Sequence, residues 1–212
     1  MRPPKITGAQ GRIIQAAVAL FARQGFHGTS TREIARLADV SEVTIFRYVK
    51  QKDEIFWSAL ESSFNAIRPC LNSLDRPSKR ETPEVMLPEI ISMLVDIATF
   101  SPELIRLIAV SLLELHGRAE AVCRDNLTPL FTAISNYLSQ NIESGRVRNL
   151  NPSIVTAAIA LTVIAQPEFC RLIKGSELSQ LGGREVIDEY TAFWLEVLVR
   201  RPINDSRLPA SD

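Results

Sequence analysis

The sequence predicts an all-α chain. Nowhere in its 212 residues do apolar and polar side chains alternate as a half-buried strand requires, and apolar residues recur at three- and four-residue spacing almost throughout. The punctuation agrees, because serines, prolines and glycines stand where such helices would start and stop. Hydrophobic residues make up 46% of the chain, enough to bury a core in one large unit or two unequal ones.

Taken in order, Ile13, Ala17, Leu20 and Phe21 line one face of a first helix. Gln24-Gly25-Phe26 ends it: glycine suits a left-handed residue after the last turn, and Phe26 can fold back on that turn. Ser30 and Glu33 form a capping box that starts a short helix carrying Ile34 and Leu37. A turn follows at Ala38-Asp39-Val40. Ser41 caps a third helix that ends near Val49, with Val40 and Ile45 spaced as a hydrophobic staple. Phe56, Leu60 and Phe64, with Ile55, Ala59 and Ile67, mark a long fourth helix that weakens at Arg68-Pro69, where an interior proline removes a backbone bond. Residues 75–83 and 175–183 read as loops. Further helices are expected at about 84–99, 102–115, 119–143, 152–166 and 184–200, with Pro83, Pro102 and Pro152 in first turns and Gly117 and Gly145 as stops.

Two short helices joined by a tight turn, the second capped and bearing basic and aromatic residues, make a helix-turn-helix, whose second helix enters a DNA major groove. On the helical wheel Ile45 and Val49 face inward, Val43, Thr44 and Arg47 face outward, and Phe46 and Tyr48 lie on the flanks, so Phe46 is open to either a core or a surface role. A solvated helix has little reason to expose Val43, Phe46 and Tyr48 unless something covers them. The chain has no net charge, but its charge is uneven: residues 1–55 hold 9 Lys+Arg against 5 Asp+Glu, and residues 56–212 hold 15 against 19. The modest basic excess therefore coincides with the helix-turn-helix, where it can meet phosphates.

Other classes find little support. No nucleophile–base pairing, metal-ligand spacing or phosphate loop is present, so no catalytic residue, metal or cofactor is expected and the chain is not read as an enzyme. His27 and His116 have no acid or cysteine cluster around them. Cys70, Cys123 and Cys170 match no metal spacing and read as buried thiols in a reducing cytoplasm. The longest run without a strongly polar residue, Ile154 to Ala165, falls short of the roughly 20 residues needed to span a bilayer, and MRPPKITGAQ has no apolar h-region, so neither a membrane segment nor a signal peptide is expected.

LFARQGFHGTSTREIARLADVSEVTIFRYVKQKDEIF, within a match running from Gly11 to Leu60, resembles the DNA-binding region of the TetR family of transcriptional regulators. The shared positions include the glycine-aromatic pair after helix one, T-x-x-x-x-I-A from Thr29 to Ala35, V-S, T-I-F and V-K-Q-K. Residues 61–212 match in architecture only. The resemblance implies a three-helix helix-turn-helix domain at 1–52 and a larger helical effector-binding and dimerisation domain at 53–201, and the tail at 202–212 reads as disordered. It implies a homodimer on double-stranded, palindromic operator DNA, acting as a repressor released by a small, hydrophobic effector. The implied DNA contacts are Thr31 and Arg32, Ser41 at the cap, then Glu42, Val43, Thr44, Phe46, Arg47 and Tyr48, and Lys52 at the start of helix four. Lys52, Tyr48 and Thr31 suit phosphate oxygens, while Arg47, Val43 and Thr44 suit base edges.

This chain departs from the family pattern at three places. Asp39 stands where glycine is usual in the turn, Glu42 and Val43 where small or basic residues are common, and Gln51 where a serine often caps helix four. Glu42 has two accounts: an acid in the first turn is favoured by the helix dipole, or it accepts from cytosine N4. For the larger domain, NPSIVTAAIALTVIA is apolar on nearly all sides and predicts a helix buried on both faces. Together with the apolar stripe from Val186 to Leu198 it fits a four-helix dimer interface, or an internal core. Phe64, Met93, Phe100 and His116 are candidate pocket-lining residues. The alternative reading is a TetR-like helical dimer acting mainly through a protein partner.

Overall fold

The computed structural model describes residues 8–73, 82–173, 175 and 180–199. Among them the fold is all-α, with no strand and one isolated bridge between Val147 and Val199. The helices are α1 (Ala9–Gln24), α2 (Thr31–Leu37), α3 (Glu42–Tyr48), α4 (Lys52–Ser73), α5 (Pro83–Phe100), α6 (Pro102–Val110), α7 (Arg118–Glu143), α8 (Pro152–Leu172) and α9 (Gly183–Leu198). The tail at 202–212, most of the loop at 75–83 and much of that at 175–183 lie outside the described residues.

The cap chemistry read from the sequence operates. Ser30 Oγ accepts the Glu33 N–H while Glu33 Oε2 accepts the Ser30 N–H at 2.9 Å, and Ser41 Oγ accepts the Thr44 N–H at 3.2 Å. The Ser30 N–H, then the Ser30 hydroxyl, hold the Glu33 carboxyl below its ordinary value, so the box is intact at neutral pH and weakens as acid protonates Glu33. Gly25 ends α1 as expected, but with φ 75 and ψ 177 it occupies an extended glycine-only region, not the left-handed helical one. Phe26 does fold back, stacking on Phe21 at 5.8 Å.

Three helix limits differ from expectation. α4 continues through Pro69 and α8 through Pro167. In α4, Phe64 and Ile67, buried just before the proline, hold the helix against the core at the cost of one backbone bond. α6 stops at Val110, and residues 111–115 form a single π-turn. With its extension to Leu172, α8 becomes one described helix long and apolar enough to cross a membrane by length and composition. Here it lies against α5 and α7.

α1 lies along α4 and α6 and carries α2 and α3, whereas α5 packs on α8 and α9, and α7 on α8. Buried apolar side chains nonetheless form one continuous cluster from Ile13 to Leu198. Its N-terminal node is aromatic: Phe56 sits edge-on to Phe21 at 5.2 Å, to Phe26 at 5.8 Å and to Trp57 at 5.2 Å. No disulfide joins the three cysteines. Each is only partly buried, and burial pushes the Cys123 thiol up, opposed by a bond to Ser111.

Candidate nucleic-acid interface

α3 presents its outer face on a frame set by α1 and α2. Ile45 is fully buried and Val49 packs on the same core, so the remaining positions are turned outward. Val43 is 72% exposed, and Phe46 and Tyr48 are each 50% exposed. Phe46 is therefore a surface residue. Arg47 and Arg32 are exposed and make no hydrogen bond or ion pair among the described residues.

The turn between α2 and α3 is built from backbone. Asp39 takes φ 52, the Val40 N–H donates to Ala35 O at 3.1 Å, and the Asp39 N–H donates to Arg36 O at 3.4 Å, which is a Schellman ending. The family's usual glycine is not required, because aspartate is among the few residues that accept this region at modest cost. From α1, Arg12 Nε donates to Ala38 O at 2.9 Å and fixes the turn to the first helix. No local sequence pattern signalled that brace.

Several of the sequence-derived contact residues already have partners. The Thr31 hydroxyl donates to Glu42 Oε1, tying the start of α2 to the start of α3. Ser41 Oγ and Thr44 Oγ1 lie 2.8 Å apart. Lys52 departs furthest from its expected role. Its ammonium donates to Phe26 O at 2.9 Å and Thr29 O at 3.0 Å, and sits 4.2 Å from the centre of the Phe26 ring. Two of its three N–H bonds thus serve the fold, fastening the α1–α2 loop to α4. Glu54, in the first turn of α4, accepts the Lys50 N–H at 2.7 Å and so ties the preceding turn to the helix start.

Glu42 thus gains a third account beside dipole and base readout, as a strut between the two helices. Thr31→Val and Glu42→Ala are expected to be coupled by about 0.5–1 kcal/mol in a double-mutant urea cycle, the net value of one solvent-exposed hydrogen bond. Additive effects would remove the strut.

The four candidate pocket residues do not converge. Phe64 and Met93 are in the core, at 1% and 6% exposure. Phe100 is exposed and borders a groove of about 210 Å³ with Ile14, Val18, Ser63 and Leu104, between α1, α4 and the α5–α6 junction. His116 is exposed after the π-turn. A second groove of about 280 Å³ lies between α5, α8 and α9, bordered by Val95, Thr99, Val163 and Cys170. α8 is buried on one face only: Val155, Ile159 and Val163 point inward, while Ile154 and Leu161 are 68% and 67% exposed.

A capped helix-turn-helix with an aromatic, cationic outer face, mounted on a larger helical body, defines a DNA-binding regulator. Residues 13–59 match the profile of the bacterial regulatory proteins of the tetR family. The chain is 28% identical over 168 residues to the HTH-type transcriptional repressor NicS of Pseudomonas putida, covering 78% of this chain and 76% of NicS. In fold it is similar to a tetR-family regulatory protein from Rhodococcus RHA1, with TM-score 0.76, 18% identity, and coverage of 92% of this chain and 100% of the other. It is also similar to AibR in complex with isovaleryl coenzyme A and operator DNA, with TM-score 0.71, 15% identity, and coverage of 88% and 97%. Residues 13–59 thus match the tetR family, and with the similarity to NicS along most of the chain they make this a DNA-binding transcriptional regulator.

Proposed function

We propose that this protein is a repressor that binds a palindromic operator as a homodimer and is released by a small apolar effector. The outer face of α3 carries the reading: two half-exposed aromatic rings and Val43 beside an unpartnered Arg47, on a helix whose position is fixed by caps and braces. Arg47 would read guanine, Val43 a thymine methyl, and Thr44 either. Tyr48, Thr31 and the remaining donor of Lys52 would hold phosphates. Glu42 remains open between strut and cytosine acceptor.

The unit at 1–52 would read DNA and the unit at 53–201 would sense and dimerise. Ile154, Leu161, Phe169 and Leu172 form an exposed apolar row on α8, and Phe193 is exposed on α9. Such a row favours burial against a second copy. NicS is named a repressor, and AibR was captured with an acyl coenzyme A and its operator, which supports the effector-released reading. Each of the two grooves is below the roughly 300 Å³ at which ligand pockets begin, so an effector seated in either would have to widen it, shifting the population away from the DNA-competent spacing.

The test is footprinting of DNA upstream of the protein's own gene. Two protected half-sites with centres about 34–36 Å or a multiple apart are expected, with affinity falling steeply as salt rises. A helical dimer that protects no DNA at any salt would instead favour action through a protein partner.

A further inference from the structure

We propose that Glu114, on the π-turn after α6, is a positioning residue for DNA binding: its carboxylate holds the α1–α2 loop and so sets the orientation of the reading head on the larger domain. This rests on the operator-binding reading above but concerns a residue outside the helix-turn-helix.

The contact is specific. Glu114 Oε2 accepts the His27 N–H at 3.0 Å, across 87 residues of sequence. Its other oxygen approaches Gly25 so closely that a Cβ there would lie 2.5 Å from Oε1. Gly25 is needed for its φ of 75, and a side chain there would also push the Glu114 carboxylate aside.

The π-turn explains how the side chain gets there. A π-turn adds a residue to the helical circuit, and one residue is about 100° of rotation, so the side chains at this point are re-aimed relative to an α-helix continued from α6. His116 and Gly117 follow with φ 42 and φ 28, a strained exit that separates the turn from α7. α6 itself is tied at its middle, where Arg106 Nη2 meets Glu168 Oε1 of α8 at 3.0 Å.

The loop it holds leads straight into the reading head. Lys52 grips the Phe26 and Thr29 carbonyls from α4, and the Thr29 hydroxyl donates to Gly25 O at 2.8 Å. Ser30, the cap of α2, is the next residue. Lys52 therefore binds the loop to α4, and Glu114 binds it to the π-turn that follows α6. Without Glu114 the loop keeps its fold but loses this side-chain tie to the segment after α6, so the two reading heads of a dimer would be held less firmly at one separation.

The test uses the full-length protein with Glu114→Ala and Glu114→Gln, an operator fragment defined by footprinting, and copies of it with one or two base pairs added to or removed from the spacer. Glu114→Ala is expected to bind the native operator about three- to tenfold more weakly, the range expected for losing one typical solvent-accessible hydrogen bond. It should also discriminate less between spacers and exchange the His27 amide hydrogen faster. Glu114→Gln keeps a carbonyl acceptor and should restore all three. If the alanine variant does not fold, Glu114→Asp, one methylene too short, carries the same expectations. An unchanged spacer profile or an unchanged His27 exchange rate overturns the proposal. Wild-type protein that binds no DNA would overturn the operator reading instead, and the exchange measurement would still judge the Glu114 contact.

Discussion

Arg47→Ala is expected to abolish selective operator binding while leaving the fold intact. The side chain is exposed and has no hydrogen bond or ion pair among the described residues, so removing it opens no hole and strands no partner. Stability should stay within about 0.5 kcal/mol. A bidentate arginine–guanine contact contributes about 1–3 kcal/mol of discrimination, and a dimer makes the contact twice, so a loss of roughly 30-fold or more is expected at fixed salt. Arg47→Lys sharpens the test. Lysine keeps the charge but not the planar fork, so the salt dependence should survive while selectivity between operator and random DNA falls. Anisotropy titrations against both DNAs would measure this, and full selectivity in the alanine variant would sink the assignment.

The largest effect on stability is expected from Phe56→Ala. Phe56 is fully buried at the start of α4, with ring partners Phe21, Phe26 and Trp57 at 5.2–5.8 Å. Truncating a buried phenylalanine costs about 3–5 kcal/mol, a large share of the 5–15 kcal/mol typical of a folded protein. For a chain of this size the melting temperature should fall by roughly 6–20 °C. The damage should also reach function. Phe26 loses an edge contact, and Lys52 sits over that same ring while holding the loop that feeds α2. DNA binding should therefore fail below the global melting point. Circular dichroism melts paired with binding assays would check this, and a drop under about 2 °C would show that the cluster relaxes around the loss.

Much of the reading head was legible because its determinants are local. A serine and a glutamate three apart make a capping box whatever surrounds them, and Ile45 and Val49 share a helix face by geometry. Asp39 was readable as a left-handed turn residue for the same reason. Errors came where local rules compete with packing. The fourth helix was expected to weaken at Pro69 and the helix from Pro152 to end near residue 166, yet α4 continues to Ser73, with Cys70 and Leu71 packed on the core, and α8 to Leu172. NPSIVTAAIALTVIA read as buried on both faces because composition reports apolarity and not what covers it, and within one chain half of that helix is bare. Phe64, Met93, Phe100 and His116 share chemistry but no cavity, which no spacing rule could have revealed.

By itself the sequence determined the all-α class, the helix-turn-helix, its caps and the outward face of α3, since each depends on residues within a few positions of one another. Only the tertiary structure decided what Lys52, Arg12 and Glu114 do. Lys52 and Arg12 grip backbone 23 to 26 residues away, and Glu114 reaches across 87. Their acceptors and donors are main-chain atoms, which every residue possesses. A side chain that binds backbone leaves no complementary residue type to find in the sequence, so folding alone reveals which peptide group it meets.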